Sequence, residues 1–226
     1  MNIEKELIEL SELKYKKFQE KLCPGISNIL GVRIPILRKY AKSLLKKDYR
    51  SYLDNPLSNY QEEIMLEGML IAYSKISIEE KISYLEKFIP KINNWACCDI
   101  VVSSFKLNDY DKDKIFKFLT KYKNSCEDYE LRFMIVMFLN YYLDSKYLNR
   151  VLTIINNIKL DSYYVNMAIA WLLSYVYIRD KNLFNNFIES TKLNKDIIKK
   201  TYTKIIESNK VSVKEKEELK KKRLFF

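Results

Sequence analysis

Histidine is missing from all 226 residues. Its absence removes Ser-His-Asp and Cys-His catalysis, the His-Glu-x-x-His zinc helix and every histidine-ligated metal site. Glycine is nearly as scarce, with only Gly25, Gly31 and Gly68. Loops that cradle a nucleotide's phosphates need several clustered glycines so that backbone can approach the pyrophosphate. No such cluster exists, and nucleotide-dependent chemistry is not expected. The four cysteines, Cys23, Cys97, Cys98 and Cys126, contain no Cys-x-x-Cys pair, so neither structural zinc nor another metal or cofactor is expected. Mostly buried thiols suit a reducing cytoplasm, the expected location. The opening MNIEKELIEL lacks a signal-peptide core, and the longest mostly apolar stretch, Val165 to Ile178, is interrupted by Ser174 and too short for a bilayer. No membrane association is expected.

Positive charge is what the chain has in excess. The formal net charge is +11 and the pI about 9.2, which points to a polyanion such as nucleic acid or an anionic membrane surface. A composition rich in Lys, Asn, Ile and Tyr also yields such a charge without any binding role. Charge alone therefore does not decide the partner.

The hydrophobic pattern is helical throughout. Ile115, Phe118, Leu119 and Tyr122 recur on one helix face, as do Leu131, Ile135, Phe138, Leu139 and Tyr142, and again Ile198, Tyr202 and Ile205. Ser77-Ile-Glu-Glu80 and Ser212-Val-Lys-Glu215 read as capping boxes. Pro35 suits a first helical turn, and Pro90 divides two helices. About twelve helices follow, over 3–21, 34–45, 59–75, 78–88, 93–106, 112–122, 128–143, 147–159, 162–178, 181–190, 195–208 and 213–222. Short loops predict antiparallel neighbours, and two helices with their loops span about 35 residues, the period of a helical repeat. The predicted fold is an all-α superhelix of about six antiparallel helix pairs, HEAT-like or ARM-like, in one domain over 1–226. A compact bundle is the competing architecture.

Repeat spacing singles out four residues. Trp95 and Asp99 are four apart on one helix and share its face. Arg132 lies 33 residues beyond Asp99, and Trp171 lies 39 beyond Arg132. With repeats of about 35 to 40 residues these positions recur on equivalent helices, forming one patch. Individually each has a plain explanation: a helical Trp is usually core, Asp99 a surface charge, Arg132 a bridge between helices. The joint arrangement is what favours a site.

Several stretches resemble the DNA alkylation repair family of HEAT-like repeat glycosylases. They are Gly31-Val-Arg-Ile-Pro-Ile-Leu-Arg38, Asn94-Trp-Ala-Cys-Cys-Asp99, Arg132-Phe-Met-Ile-Val-Met137, Tyr163-Tyr-Val-Asn-Met-Ala-Ile-Ala-Trp171 and Tyr202-Thr-Lys-Ile-Ile-Glu-Ser208. They run in the family's order over nearly the whole chain. The resemblance implies excision of N3- and N7-alkylated purines from duplex DNA without metal, nucleotide or base flipping. It implies Asp99 as the catalytic carboxylate, Trp95 and Trp171 as a cradle for sugar and backbone, and Arg132 as a phosphate holder. Where the family pattern reads Trp-Asp-x-Val-Asp, this chain has Ala96 and Cys98 at the second and fourth positions. Subgroups of the superfamily bind duplex or branched DNA without excision. A non-catalytic DNA-binding module and a protein-binding scaffold are therefore the alternative functions.

Two basic clusters complete the expected concave groove. Arg33, Arg38, Lys39 and Lys42 form one, with Arg38 and Lys42 sharing a helix face. Lys204 and Lys210 belong to the other, between Lys192 and Arg223, where twelve Lys or Arg stand against five Asp or Glu. Phosphate contacts there would be non-specific and salt-dependent. A monomer on alkylated double-stranded DNA is the expected working form, associated with a bacterial nucleoid. Glu63 and Glu67 share a helix face, and a structural salt bridge between helices is expected of them.

Overall fold

A computed structural model describes residues 2–226. Among the described residues there are fourteen α-helices and no strand, so the all-α prediction holds. The helices are α1 (Ile3–Glu9), α2 (Leu13–Leu22), α3 (Ile34–Leu44), α4 (Tyr49–Asp54), α5 (Gln61–Tyr73), α6 (Ile78–Phe88), α7 (Trp95–Val102), α8 (Asp109–Leu119), α9 (Asp128–Tyr141), α10 (Leu148–Ile155), α11 (Tyr163–Arg179), α12 (Lys181–Ser190), α13 (Lys195–Glu207) and α14 (Val213–Arg223). They fall into two compact units, one ending at Phe118 and the other running Leu119–Phe226.

The count differs from twelve at two places. The expected helix over 3–21 breaks at Leu10-Ser11-Glu12. There the Glu12 N–H donates to the Gly31 carbonyl at 2.9 Å, a long-range bond that an unbroken helix could not make. α4 has six residues, too few to show a period, and is capped by the preceding Asp48, whose carboxylate accepts from the Ser51 N–H. Pro35 does sit in the first turn of α3, and Pro90 lies in the 3₁₀ turn Ile89–Lys91 that follows α6.

The two capping boxes form only by half. Ser77 and Ser212 each accept from the backbone three residues on, at 3.1 and 3.3 Å. Their glutamates turn outward to cations instead: Glu80 holds Arg50, and Glu215 holds Lys181 at 2.7 Å. Glu215 also accepts from the Tyr177 hydroxyl. A charged donor is a stronger partner than the neutral N–H that a box supplies.

One helix is central to each unit. α5 packs against α3, α4, α6 and α7, and twelve of its residues, Gln61–Ala72, are buried. Its apolar residues therefore surround the axis instead of lining one stripe. Gly68 is what lets α6 and α7 close on it. A Cβ there would stand 2.6 Å from Phe88 Cζ and 2.6 Å from Val101 Cγ1. In the second unit α11 packs against α9, α12 and α13, and α14 packs on α13. Leu131–Leu139 of α9 is an unbroken buried run.

The polar residues of α5 are satisfied in ways that fix the loop before α3. The buried Glu62 carboxylate accepts from the N–H groups of Leu30, Gly31 and Val32 at 2.9, 2.7 and 3.1 Å. Gly31 adopts φ +96° there, and a Cβ would lie 2.7 Å from the Glu12 carbonyl oxygen. Only glycine fits that backbone conformation and that approach. Glu63 accepts from the N–H groups of Asn59 and Tyr60. Glu67 pairs with Lys91 of the 3₁₀ turn after α6 at 2.9 Å, a salt bridge as expected, whereas Glu63 meets backbone N–H groups instead of the expected cation.

Candidate functional site

In the first unit the candidate residues are carried by α7. Asn94 starts this helix, its side-chain oxygen accepting from the Cys97 N–H at 2.9 Å. Ala96, Cys97, Cys98, Val101 and Val102 are all buried, so they fix the rotation of α7 against the core. Trp95 and Asp99 stay partly exposed. They lie four residues apart, about 40° round the axis from one another. The accessible face of α7 thus presents an indole and a carboxylate together. Ala96 and Cys98, the departures from the family pattern, point inward at 2% and 0% exposure. Burial pushes the Cys97 and Cys23 thiols up, which keeps them protonated and unsuited to nucleophilic attack.

Neighbouring elements hold α7 at both ends. The Trp95 indole N–H donates to the Leu22 carbonyl at the end of α2, at 3.2 Å. At the other end the Ile100 carbonyl accepts from the Ser103 and Ser104 hydroxyls at 2.8 and 2.9 Å. Arg38 also reaches it at 3.4 Å, while donating to Ser103 Oγ at 2.8 Å and to the Tyr73 hydroxyl at 3.0 Å. A cation at a helix C-terminus complements its partial negative charge. Arg38, expected at phosphate, thus ties α3 to α5 and α7.

The other basic residues of this cluster differ in their surroundings. Arg33 makes a two-point bond to Glu12, at 2.8 and 3.0 Å, and lies over the Tyr15 ring. Lys42 stands 5.4 Å from the centre of the Tyr73 ring. Lys39 is exposed on α3.

In the second unit Arg132 is buried on α9, 6% exposed, and donates to the Tyr164 carbonyl at 2.7 Å. It thereby fastens α9 to the first turn of α11, the helix that carries Trp171. Tyr129 and Tyr164 pack ring to ring at 5.4 Å beside this bond. Trp171 is partly exposed and meets Tyr175 edge to face at 6.3 Å. Lys210 stands 5.7 Å from the centre of the Tyr175 ring. Trp171 and Tyr175 of α11, with Lys210 from the turn before α14 over Tyr175, therefore form an aromatic and cationic face. Lys204 pairs with Glu207 at 2.9 Å.

Sequence reasoning missed Tyr175, although its place four residues after Trp171 puts it on the same helix face. It also missed the internal role of Arg38, for which no local signal exists, because its partners lie 35 to 65 residues away. No group of three His, Cys, Asp or Glu residues placed to hold a metal occurs among the described residues. No helix among them is long and apolar enough to cross a membrane.

No curated protein and no solved structure matches the chain. A family model described as DNA alkylation repair enzyme matches residues 3–205. With the model covering most of its length, the chain belongs to the DNA alkylation repair enzyme family.

Proposed function

We propose that this protein is an alkylpurine DNA glycosylase, acting on N3- and N7-alkylated purines in duplex DNA without base flipping. The carrying observation is the accessible face of α7. It pairs Trp95 with Asp99, while the two departures from the family's motif are turned into the core. The family membership supplies DNA as substrate. A HEAT-like stack of helix pairs in one domain, with a basic groove that a monomer lays on DNA, is part of the same proposal.

An alkylated purine of this kind already carries a positive charge. When its C1′–N bond breaks, the bonding pair goes to the purine and neutralises it, and the positive charge moves to the sugar. Asp99 stabilises that sugar cation and orients a water, which adds to C1′ and passes its proton to the Asp99 carboxylate. Fixed charge in a water-poor place is worth most at such a transition state. Trp95 and Trp171 offer indole faces, which attract cationic groups and pack on sugars. Arg132 is assigned to a phosphate beside the lesion. Arg33, Lys39, Lys42, Lys204 and Lys210 are assigned to the DNA backbone, and Arg38, whose donors engage Tyr73, Ile100 and Ser103, to holding α7.

Release of N7-methylguanine from methylated duplex DNA tests the proposal, comparing the wild type with Asp99→Asn at matched low salt. Release by the wild type and loss in the variant, with DNA binding kept, is the expected result. Salt-dependent binding without release by either protein would leave a non-catalytic DNA-binding module as the function. Absence of DNA binding would leave a protein-binding scaffold.

A further inference from the structure

The first unit carries an open hollow of about 460 Å³, walled by Lys14, Tyr15, Lys17, Phe18 and Lys21 of α2 with Arg33 facing them. α2 is poorly covered by the rest of the unit. Of its ten residues only Gln19 is buried, and Phe18 leaves 52% of its surface to solvent. Leu13 and Leu22, at the two ends of the same helix, are exposed as well. Single exposed apolar residues are ordinary, but Phe18 and Leu22, four apart on one side of α2, together with the hollow mark a surface that something else covers.

The walls have two chemistries. Tyr15 and Phe18 lie with ring centres 6.0 Å apart and planes tilted by 32°, an aromatic floor. Lys14, Lys17 and Lys21 are spaced three and four apart, so their ammonium groups share one side of α2. Arg33 faces this floor with its charge already met by Glu12. No carboxylate lines the hollow. Glu12, at the start of α2, is taken up by Arg33, and Glu20 is turned about 100° from Lys21, about 120° from Lys14 and about 60° from Lys17. The ammonium groups of Lys14, Lys17 and Lys21 are what the hollow offers to an incoming group.

A ligand that satisfies both chemistries has a flat apolar face with an anion attached to it. A nucleotide within a nucleic-acid strand is such a unit, its base stacking on aromatic rings and its phosphate meeting lysines. We propose that the α2 hollow is a nucleotide subsite, which takes an unpaired DNA base other than the lesion, at a strand end or gap, against Tyr15 and Phe18 with its phosphate on Lys14, Lys17 and Lys21. The Trp95–Leu22 bond ties α2 to α7, so the subsite and the Trp95–Asp99 face belong to one unit. The subsite rests on the glycosylase proposal only in taking DNA as the ligand.

The test measures anisotropy of fluorescein-labelled oligothymidylate and of a blunt duplex with the full chain between about 50 and 200 mM salt. The variants are Phe18→Ala and the triple Lys14→Gln, Lys17→Gln, Lys21→Gln, with thermal melting as a check that they fold. Phe18→Ala is expected to weaken oligothymidylate binding roughly tenfold, and the blunt duplex by less. The triple variant is expected to flatten the slope of log affinity against log salt by about 0.7, the contribution of one phosphate neutralised on a single strand. Wild-type failure to bind oligothymidylate overturns the subsite, as does wild-type binding by both variants. Uptake of phosphatidylglycerol vesicles in preference to the oligonucleotide overturns it in favour of a membrane surface. Excision that persists while the subsite fails leaves the glycosylase proposal standing. Subsite binding without excision sinks the glycosylase proposal alone.

Discussion

The indole N–H of Trp95 donates to the carbonyl of Leu22, 3.2 Å away, so the end of α2 orients the aromatic ring at the start of α7. Trp95→Phe keeps an aromatic ring there but removes this bond. The net loss in stability is expected to be about 1 kcal/mol, as for a single hydrogen bond. If the α7 face excises bases as proposed, the excision rate falls by roughly tenfold or more, because the ring that would hold the sugar is freed. Urea unfolding and single-turnover release of the base check the two expectations separately.

Gly68 sets the position of α7 from below. A Cβ at this residue would stand 2.6 to 2.7 Å from the two methyl groups of Val101 and 2.6 Å from Phe88 Cζ. Gly68→Ala must therefore push α7 or α6 outward, costing about 1–3 kcal/mol by overpacking. Activity should drop by more than the folded fraction does, since the displaced helix carries Trp95 and Asp99. Equal losses in folded fraction and in activity would show that the position of α7 is not critical.

Arg38 offers a choice between two roles that a salt titration separates. Its donors already engage Tyr73, Ile100 and Ser103. If it acts by holding the C-terminus of α7, Arg38→Ala lowers excision while the salt slope of DNA binding stays as in the wild type. If it neutralises a phosphate, the slope falls by about 1. The internal bonds favour the first outcome.

The loop before α3 depends on a buried acceptor. Glu62→Ala leaves the N–H groups of Leu30, Gly31 and Val32 without their carboxylate. Each unsatisfied buried donor costs about 1–3 kcal/mol, so a loss of several kcal/mol in denaturant unfolding is expected. Gly31→Ala should be harmful too, because its φ of +96° and the nearby Glu12 and Lys16 backbone leave no place for a Cβ.

The buried glutamates of α5 carry a pH signature. Burial raises the Glu63 carboxyl above its ordinary value near 4.5, and it does the same for Glu67 against the opposing effect of Lys91. A carboxyl raised on folding stabilises the native state fully below its unfolded value, and that contribution is lost as pH rises through the folded value. Glu67→Gln removes one such group. The variant's stability should therefore decline less than the wild type's as pH is raised from about 4.5 towards neutrality. An identical pH profile in the two proteins would count against a raised Glu67.

Helix type and most boundaries were legible in the residue pattern, because period and caps are local properties. α6 and α12 fall on the spans expected for them, and α3, α9, α11, α13 and α14 within two residues of theirs. The family was legible too, since its motifs are short runs of neighbouring residues. Other features depend on partners distant in the chain. The break between α1 and α2 follows from the Glu12–Gly31 bond, and the half-formed capping boxes follow from Arg50 and Lys181. The rotation that exposes Trp95 and Asp99 while burying Ala96 and Cys98 is set by the core against α7. The sequence by itself determined helical periodicity, charge and the chemistry that is absent. Tertiary packing decided which side of each helix meets solvent and which cations are left for a ligand, because burial and ion pairing depend on groups that only folding brings together.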